Sequence, residues 1–93
     1  MNNNSQGGFS VMEIRERIMD CIGMVLKMEV SDIQKMSGAH SLRLIGMDSL
    51  NCVDIVVSIE QEFGIYFDDE ELLMDNINTI DKLVNIVTAK VAA

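Results

Sequence analysis

Gly46-Met47-Asp48-Ser49-Leu50-Asn51-Cys52-Val53-Asp54-Ile55-Val56-Val57-Ser58-Ile59-Glu60-Gln61-Glu62-Phe63-Gly64 is the stretch on which the reading of this chain turns. Asp48 is a favoured helix N-cap, because its side-chain oxygen accepts from the free amides of a first turn. Apolar side chains then recur at helical spacing: Leu50, Val53 and Val57, and Cys52, Val56, Ile59 and Phe63. The pattern predicts a helix from Ser49 to Phe63, with Leu50, Val53, Val56, Val57 and Phe63 on one broad face. Asn51, Asp54, Ser58, Gln61 and Glu62 gather on the other. Gly64 follows, where a left-handed residue ends a helix at least cost. Ser49 is thereby placed at the helix mouth with its hydroxyl near solvent. The free amides and the dipole there favour a negative group, by about 0.3–1 kcal/mol from the dipole alone.

Outward from this helix, the N-terminal side is equally well signalled. Ser10 and Glu13 form a Ser-x-x-Glu capping box, with Phe9 positioned to staple onto Ile14. Val11, Ile14, Ile18, Cys21, Ile22 and Val25 make one stripe expected to be buried, with Leu26 at its edge, and the helix is expected to fray near Lys27 to Val30. From Val30 to Asp48 the periodicity fades. A connection this long in a small domain needs pinning or a function; Val30, Ile33, Met36, Leu42, Leu44 and Ile45 are available to pin it, and Ser31 to cap a short turn to Lys35. On the C-terminal side, Asp68 to Met74 reads as a short helix with Leu72, Leu73 and Met74 packing inward. A last helix follows Thr79, with Ile80, Leu83, Val84, Val87 and Val91 on its buried side. Residues 1–9 are expected to be a flexible tail and 10–93 one domain. All-α is the predicted class.

Ninety-three residues leave no room for a second catalytic domain, and a hydrophobic fraction of 48% suffices for a compact core. The net charge is −8, and no Lys or Arg occurs between Arg43 and Lys82. That interval holds Asp48, Asp54, Glu60, Glu62, Asp68 to Glu71, Asp75 and Asp81. Such a surface repels nucleic acid and anionic membranes and steers toward basic patches on proteins. A face that merely keeps the domain in solution is the plainer alternative. No apolar run has membrane-spanning length, and the first residues lack the basic and apolar regions of a secretory signal. Cys21 and Cys52 fall in predicted helices without metal-ligand spacing. They read as small buried hydrophobes in a reducing cytosol, a bridge between helices being the other option.

Gly-x-Asp-Ser-Leu opening a Val/Ile-rich helix that ends in Glu62-Phe63-Gly64-Ile65 resembles an acyl carrier protein. Phe63 lies 14 residues past Ser49, as the family's helix end leads one to expect, and the resemblance runs from about Val11 to Val91. It implies a free-standing carrier folded as a four-helix bundle, with a long loop between helices 1 and 2 and a short helix 3. It further implies covalent 4′-phosphopantetheine, derived from coenzyme A, on Ser49, flanked by Asp48 and Leu50. The thiol of that group holds acyl or aminoacyl intermediates as thioesters. The implied partners are a phosphopantetheinyl transferase, an acyl- or aminoacyl-loading enzyme, and ketosynthase, condensation-type and tailoring enzymes with basic docking patches. A cytoplasmic monomer is expected. Leu50, Asp54, Val57, Glu60 and Glu62 match positions that carriers use for docking, and Met47 is expected to touch a partner. Core packing is the competing reading for Leu50 and Val57. Asn51, Cys52 and a longer Leu72-to-Thr79 segment depart from the fatty-acid type and lean toward polyketide or nonribosomal peptide biosynthesis.

Three rival sites are weaker. Gly38-Ala39-His40-Ser41-Leu42 resembles a peptidyl carrier motif, but Gly46 interrupts any helix there and Phe63 lies 22 residues on. Ser49 as a hydrolase nucleophile needs a neighbouring base and a Gly-x-Ser-x-Gly elbow, and the sequence has neither beside it. Asp68 to Glu71 lacks the ligand spacing of a calcium loop. No catalysis and no metal are therefore expected. An acidic helical interaction module without a prosthetic group is the alternative function.

Overall fold

The computed structural model describes residues 9–92; residues 1–8 of the expected 1–9 tail and Ala93 lie outside them. We name the helices α1 (Val11–Leu26), α2 (Val30–Gln34), α3 (Ser49–Phe63), α4 (Met74–Ile77) and α5 (Ile80–Ala92), with 3-10 turns at Leu42–Ile45 and Asp69–Leu72. The described residues are all-helical. Three long helices form the bundle, α1 packing against both α3 and α5, and a short irregular segment takes the place of the fourth.

The caps fix the helix starts as the sequence predicts. Ser10 Oγ accepts from the Glu13 amide at 3.1 Å while Glu13 returns the bond to Ser10 N at 3.0 Å. Thr79 Oγ1 accepts from Lys82 N at 3.1 Å and opens α5. α1 closes on a left-handed Lys27, whose amide bonds to the Gly23 carbonyl together with that of Met28. Gly23 is required there, since a Cβ would stand 2.9 Å from the Met28 carbonyl oxygen.

Ile14, Ile18 and Ile22 of α1, Ile55 and Ile59 of α3, and Ile80, Leu83 and Val87 of α5 form the sealed centre of the core. Val11 does not join it. It is exposed, and Phe9 covers that end instead, its ring edge-on to Phe63 at 5.2 Å between centroids with the Arg17 guanidinium over it at 5.0 Å. The long connection is pinned mainly by Ile33, Leu42 and Met47. Two backbone bonds stitch it to the start of α5: Leu42 N to Asn78 O at 2.9 Å and Asp81 N to Gly38 O at 3.0 Å. Asp81 also pairs with Arg15 at 2.7 Å.

Two expectations in the connections need correction. α2 is capped at Glu29, not at Ser31, so the chain re-enters helix two residues sooner after the left-handed turn at Lys27. The Asp68-to-Met74 helix is broken. Asn76 Nδ2 donates to the Glu70 carbonyl at 2.8 Å, taking the acceptor that a continuous helix would offer to residue 74. Leu73 then adopts an extended conformation between the 3-10 turn and α4. Leu72 and Leu73 turn outward in consequence, and only Met74 packs against the core. The outer end of this segment is held by Lys90, 2.9 Å from Glu71. A backbone bond to Asp68 and that ammonium keep the Glu71 carboxyl below the usual range.

Candidate functional site

Ser49 is the first residue of α3 and is exposed. The turn that presents it is built from three side chains. Asp48 Oδ1 accepts from both the Leu50 and Asn51 amides at 2.9 Å. Asn51 Oδ1 accepts from the Asp48 amide at 2.7 Å, and its Nδ2 donates to the Gly46 carbonyl at 2.9 Å. Met47, between them, bonds through its amide to the Leu42 carbonyl at 3.1 Å and sinks its side chain into the core, 3% exposed. The expectation that Met47 touches a partner is therefore overturned: its backbone is held against the 3-10 turn, which turns the thioether inward beneath the serine. Asn51, on the polar face of the helix and a departure from the family pattern, proves to be the second half of the capping box.

The apolar face of α3 is narrower than the spacing predicts. Cys52, Ile55, Val56, Ile59 and Phe63 are buried, while Leu50 (81% exposed), Val53 and Val57 (42%) face solvent beside Asp54. Of the two readings left open for Leu50 and Val57, core packing is excluded. Glu60 is half-buried, its Oε2 accepting from the Phe67 amide at 2.9 Å. Glu62 pairs with Arg17 across the α1–α3 contact.

A cleft of about 360 Å³ opens directly beside Ser49. One wall is α3, through Cys52, Val53, Val56 and Val57, with Glu60 at the far end. The other is Leu72, Met74 and Ile77. The broken third helix leaves this space unfilled, and no periodicity argument anticipates it. Also unforeseen are two exposed side chains near either end of α3, Leu44 (75%) in the 3-10 turn and Tyr66 (82%) after Gly64.

The remaining candidates stay apart from this site. Ser41 caps the Leu42–Ile45 turn, accepting from the Arg43 amide at 3.3 Å, and opens no long helix. Among the described residues no group of His, Cys, Asp and Glu is placed to hold a metal ion, and no helix is long and apolar enough to cross a membrane. Cys21 and Cys52 are buried and unbridged. Burial, then Glu62 and Asp20, pushes the Cys21 thiol up to about 11; burial, then Asp48, raises that of Cys52.

A pH dependence follows from Cys21. The unfolded chain gives up this proton from its ordinary value of 9.0, before the folded one does. Stability attributable to the protonated thiol is thus complete below pH 9 and is lost between pH 9 and about 11. Urea midpoints at about pH 8 and about pH 10.5 are expected to fall more for the wild type than for Cys21→Ala. Equal falls would show that the thiol titrates alike in both states.

The chain matches the family model described as the phosphopantetheine attachment site over residues 16–87. It is 34% identical over 86 residues to a mitochondrial acyl carrier protein of Dictyostelium discoideum, covering 90% of this chain and 69% of that protein. It is 32% identical over 81 residues to an acyl carrier protein of Thermotoga maritima, covering 85% of this chain and 98% of that one. No solved structure matches it. With an exposed serine at a helix mouth where a phosphodiester fits, the chain belongs to the acyl carrier protein family: a carrier rather than an enzyme, with covalently attached 4′-phosphopantetheine as its prosthetic group.

Proposed function

We propose that Ser49 carries the prosthetic group and that the cargo is an aliphatic acyl chain, a fatty acid or polyketide intermediate rather than an aminoacyl group. The observation that carries this reading is the adjacency of the exposed serine to the apolar cleft between α3 and the Leu72–Ile77 wall. In the loading step Ser49 Oγ forms a bond to the pantetheine phosphorus of coenzyme A. The phosphoanhydride bond breaks, adenosine 3′,5′-bisphosphate leaves, and the serine proton passes to a base of the transferase. The free amides and dipole of α3 favour the phosphodiester left behind. The bound group supplies a thiol on a flexible arm. Asp48 and Asn51 hold the turn beneath it, while burial, then Asp48, raises the Cys52 thiol and disfavours its thiolate as a competitor.

The exposed Leu50, Asp54 and Val57 support a docking surface around Ser49, with Glu60 and Glu62 at its far end. An apolar centre with an acidic rim suits partners bearing basic patches. These are the transferase, a loading enzyme, and the ketosynthase and tailoring enzymes of an acyl pathway. The two unbridged thiols fit a reducing compartment.

Incubation with a phosphopantetheinyl transferase, coenzyme A and Mg²⁺ is expected to add one phosphopantetheine by intact mass. Ser49→Ala abolishes the gain and Ser41→Ala retains it. Modification surviving in Ser49→Ala would move the site elsewhere.

A further inference from the structure

The cleft beside Ser49 runs along α3 as far as Glu60, and among the described residues that line it Glu60 alone is charged. A second cleft, of about 370 Å³, begins where the first stops. It is lined by Gln61, Gly64, Ile65 and Tyr66, and it shares Val57 and Glu60 with the first. We propose that Glu60 is the partition between the two clefts and sets the longest acyl chain this carrier buries. The inference rests on the reading that an aliphatic chain occupies the first cleft, and adds to it a length limit and the residue that imposes it.

Position is the first reason. Val57 and Glu60 are three residues apart on α3 and so are neighbours on one face. A chain entering beside Ser49 runs between Val53, Val56 and Val57 on one side and Leu72, Met74 and Ile77 on the other. Glu60 stands at the end of that apolar path. The second reason is that its side chain is held. Glu60 Oε2 accepts from the Phe67 amide at 2.9 Å, tying the helix to the connector that follows Gly64. Phe67 is buried, so swinging the carboxylate aside strips a part-buried backbone donor of its partner. The third reason is solvation. Glu60 is half-buried and keeps part of its water. A methyl group pressed against the carboxylate displaces that water and offers no hydrogen bond in return. Past Glu60, Ile65 and the Tyr66 ring present apolar surface again. The limit is thus a barrier between two usable spaces.

The helix geometry sets the length. From Cys52 to Glu60 α3 advances about 12 Å at 1.5 Å per residue. An extended chain advances about 1.2 Å per bond, a third of the rise of an extended three-bond peptide residue. About ten bonds fit before Glu60. With about three carbons left outside beside the thioester, the chain end meets Glu60 between dodecanoyl and tetradecanoyl.

The test is guanidinium unfolding of the holo protein loaded with even-numbered saturated chains from octanoyl to octadecanoyl. Each form is referred to the unacylated holo form of the same variant, which cancels any basal loss from the Phe67 bond. One buried methylene raises the folding equilibrium constant about fourfold, and a pair about 15-fold. In the wild type each pair up to dodecanoyl is expected to give that factor, and each pair beyond tetradecanoyl less than about twofold. Glu60→Ala removes the partition and is expected to restore more than about fivefold per pair from tetradecanoyl to octadecanoyl. Glu60→Gln keeps the polar head and the bond to Phe67, and is expected to stop at the wild-type length. Undiminished gains beyond tetradecanoyl in the wild type overturn the proposal without any variant. A Glu60→Ala protein that stops where the wild type does also overturns it. So does a Glu60→Gln protein that takes the longer chains as readily as Glu60→Ala, since the held side chain is still in place. No gain from any chain in the wild type, octanoyl included, overturns the acyl-cleft reading and this inference with it. Gains up to dodecanoyl with a limit indifferent to Glu60 overturn this inference alone.

Discussion

Ile59→Ala is expected to remove roughly 3–5 kcal/mol of stability, a large share of the about 5–14 kcal/mol typical of a 93-residue domain. Ile59 has no exposed surface and sits in α3, the helix that presents Ser49 and meets α1. Truncation loses the transfer energy of three carbons and leaves a cavity that helices clamped at both ends cannot collapse to fill. α3 is clamped by the Asp48–Asn51 box at one end and by left-handed Gly64 at the other. Val57, two residues earlier and 42% exposed, is the control, and Val57→Ala is expected to cost less than about 1 kcal/mol. Urea midpoints with unchanged slope report both. A loss below about 1 kcal/mol for Ile59→Ala would mean that α3 is not seated as described.

The contrast between Ile59 and Val57 also shows what periodicity in the sequence conveys. Spacing locates a helix and the direction of its apolar stripe, and local chemistry locates its ends. Hence Asp48, Ser49, Ser10, Thr79 and Gly64 are all legible. The width of the buried stripe is set by whatever packs against it. α1 covers one side of α3, but the other side faces a segment too short and irregular to cover it. Leu50, Val53 and Val57 therefore stay outside although their spacing is as regular as that of Cys52, Val56 and Ile59.

That irregular segment is where the sequence is least informative. The Asp68-to-Met74 stretch breaks at an extended Leu73, where the Glu70 carbonyl accepts from the Asn76 side chain. No pattern of apolar residues encodes that outcome. In the loop, Leu44, expected to pin the chain, is exposed and Met47, expected at the surface beside the serine, is buried, since a 3-10 turn of four residues has no face to read. The candidate serine was visible because caps are local. The cleft beside it was not, because a void is a property of two walls distant in sequence.

The consequence of that void is the second large effect. An octanoyl chain on the holo protein is expected to raise its melting temperature by about 12–24 °C over the unacylated holo form. The first carbons remain with the thioester outside, and about four methylenes enter the cleft between Val56 and Ile77. At about 0.8 kcal/mol per buried methylene this is roughly 3 kcal/mol, and a domain of this size shifts by about 4–8 °C per kcal/mol. A glycyl group, short and charged, is expected to give no rise, since nothing in an apolar cleft compensates an ammonium for lost water. Val56→Phe separates burial in this cleft from any other effect of acylation. Val56 is 6% exposed and forms part of the wall, and a benzyl group there occupies the space the chain would take. In that variant the octanoyl increment is expected to fall below a third of its wild-type value, while Ser49 is still modified at a normal rate because the helix mouth is untouched. An undiminished increment in Val56→Phe would place the chain elsewhere on the protein. An equal rise from glycyl and octanoyl groups would show that the cleft does not discriminate cargo by hydrophobicity.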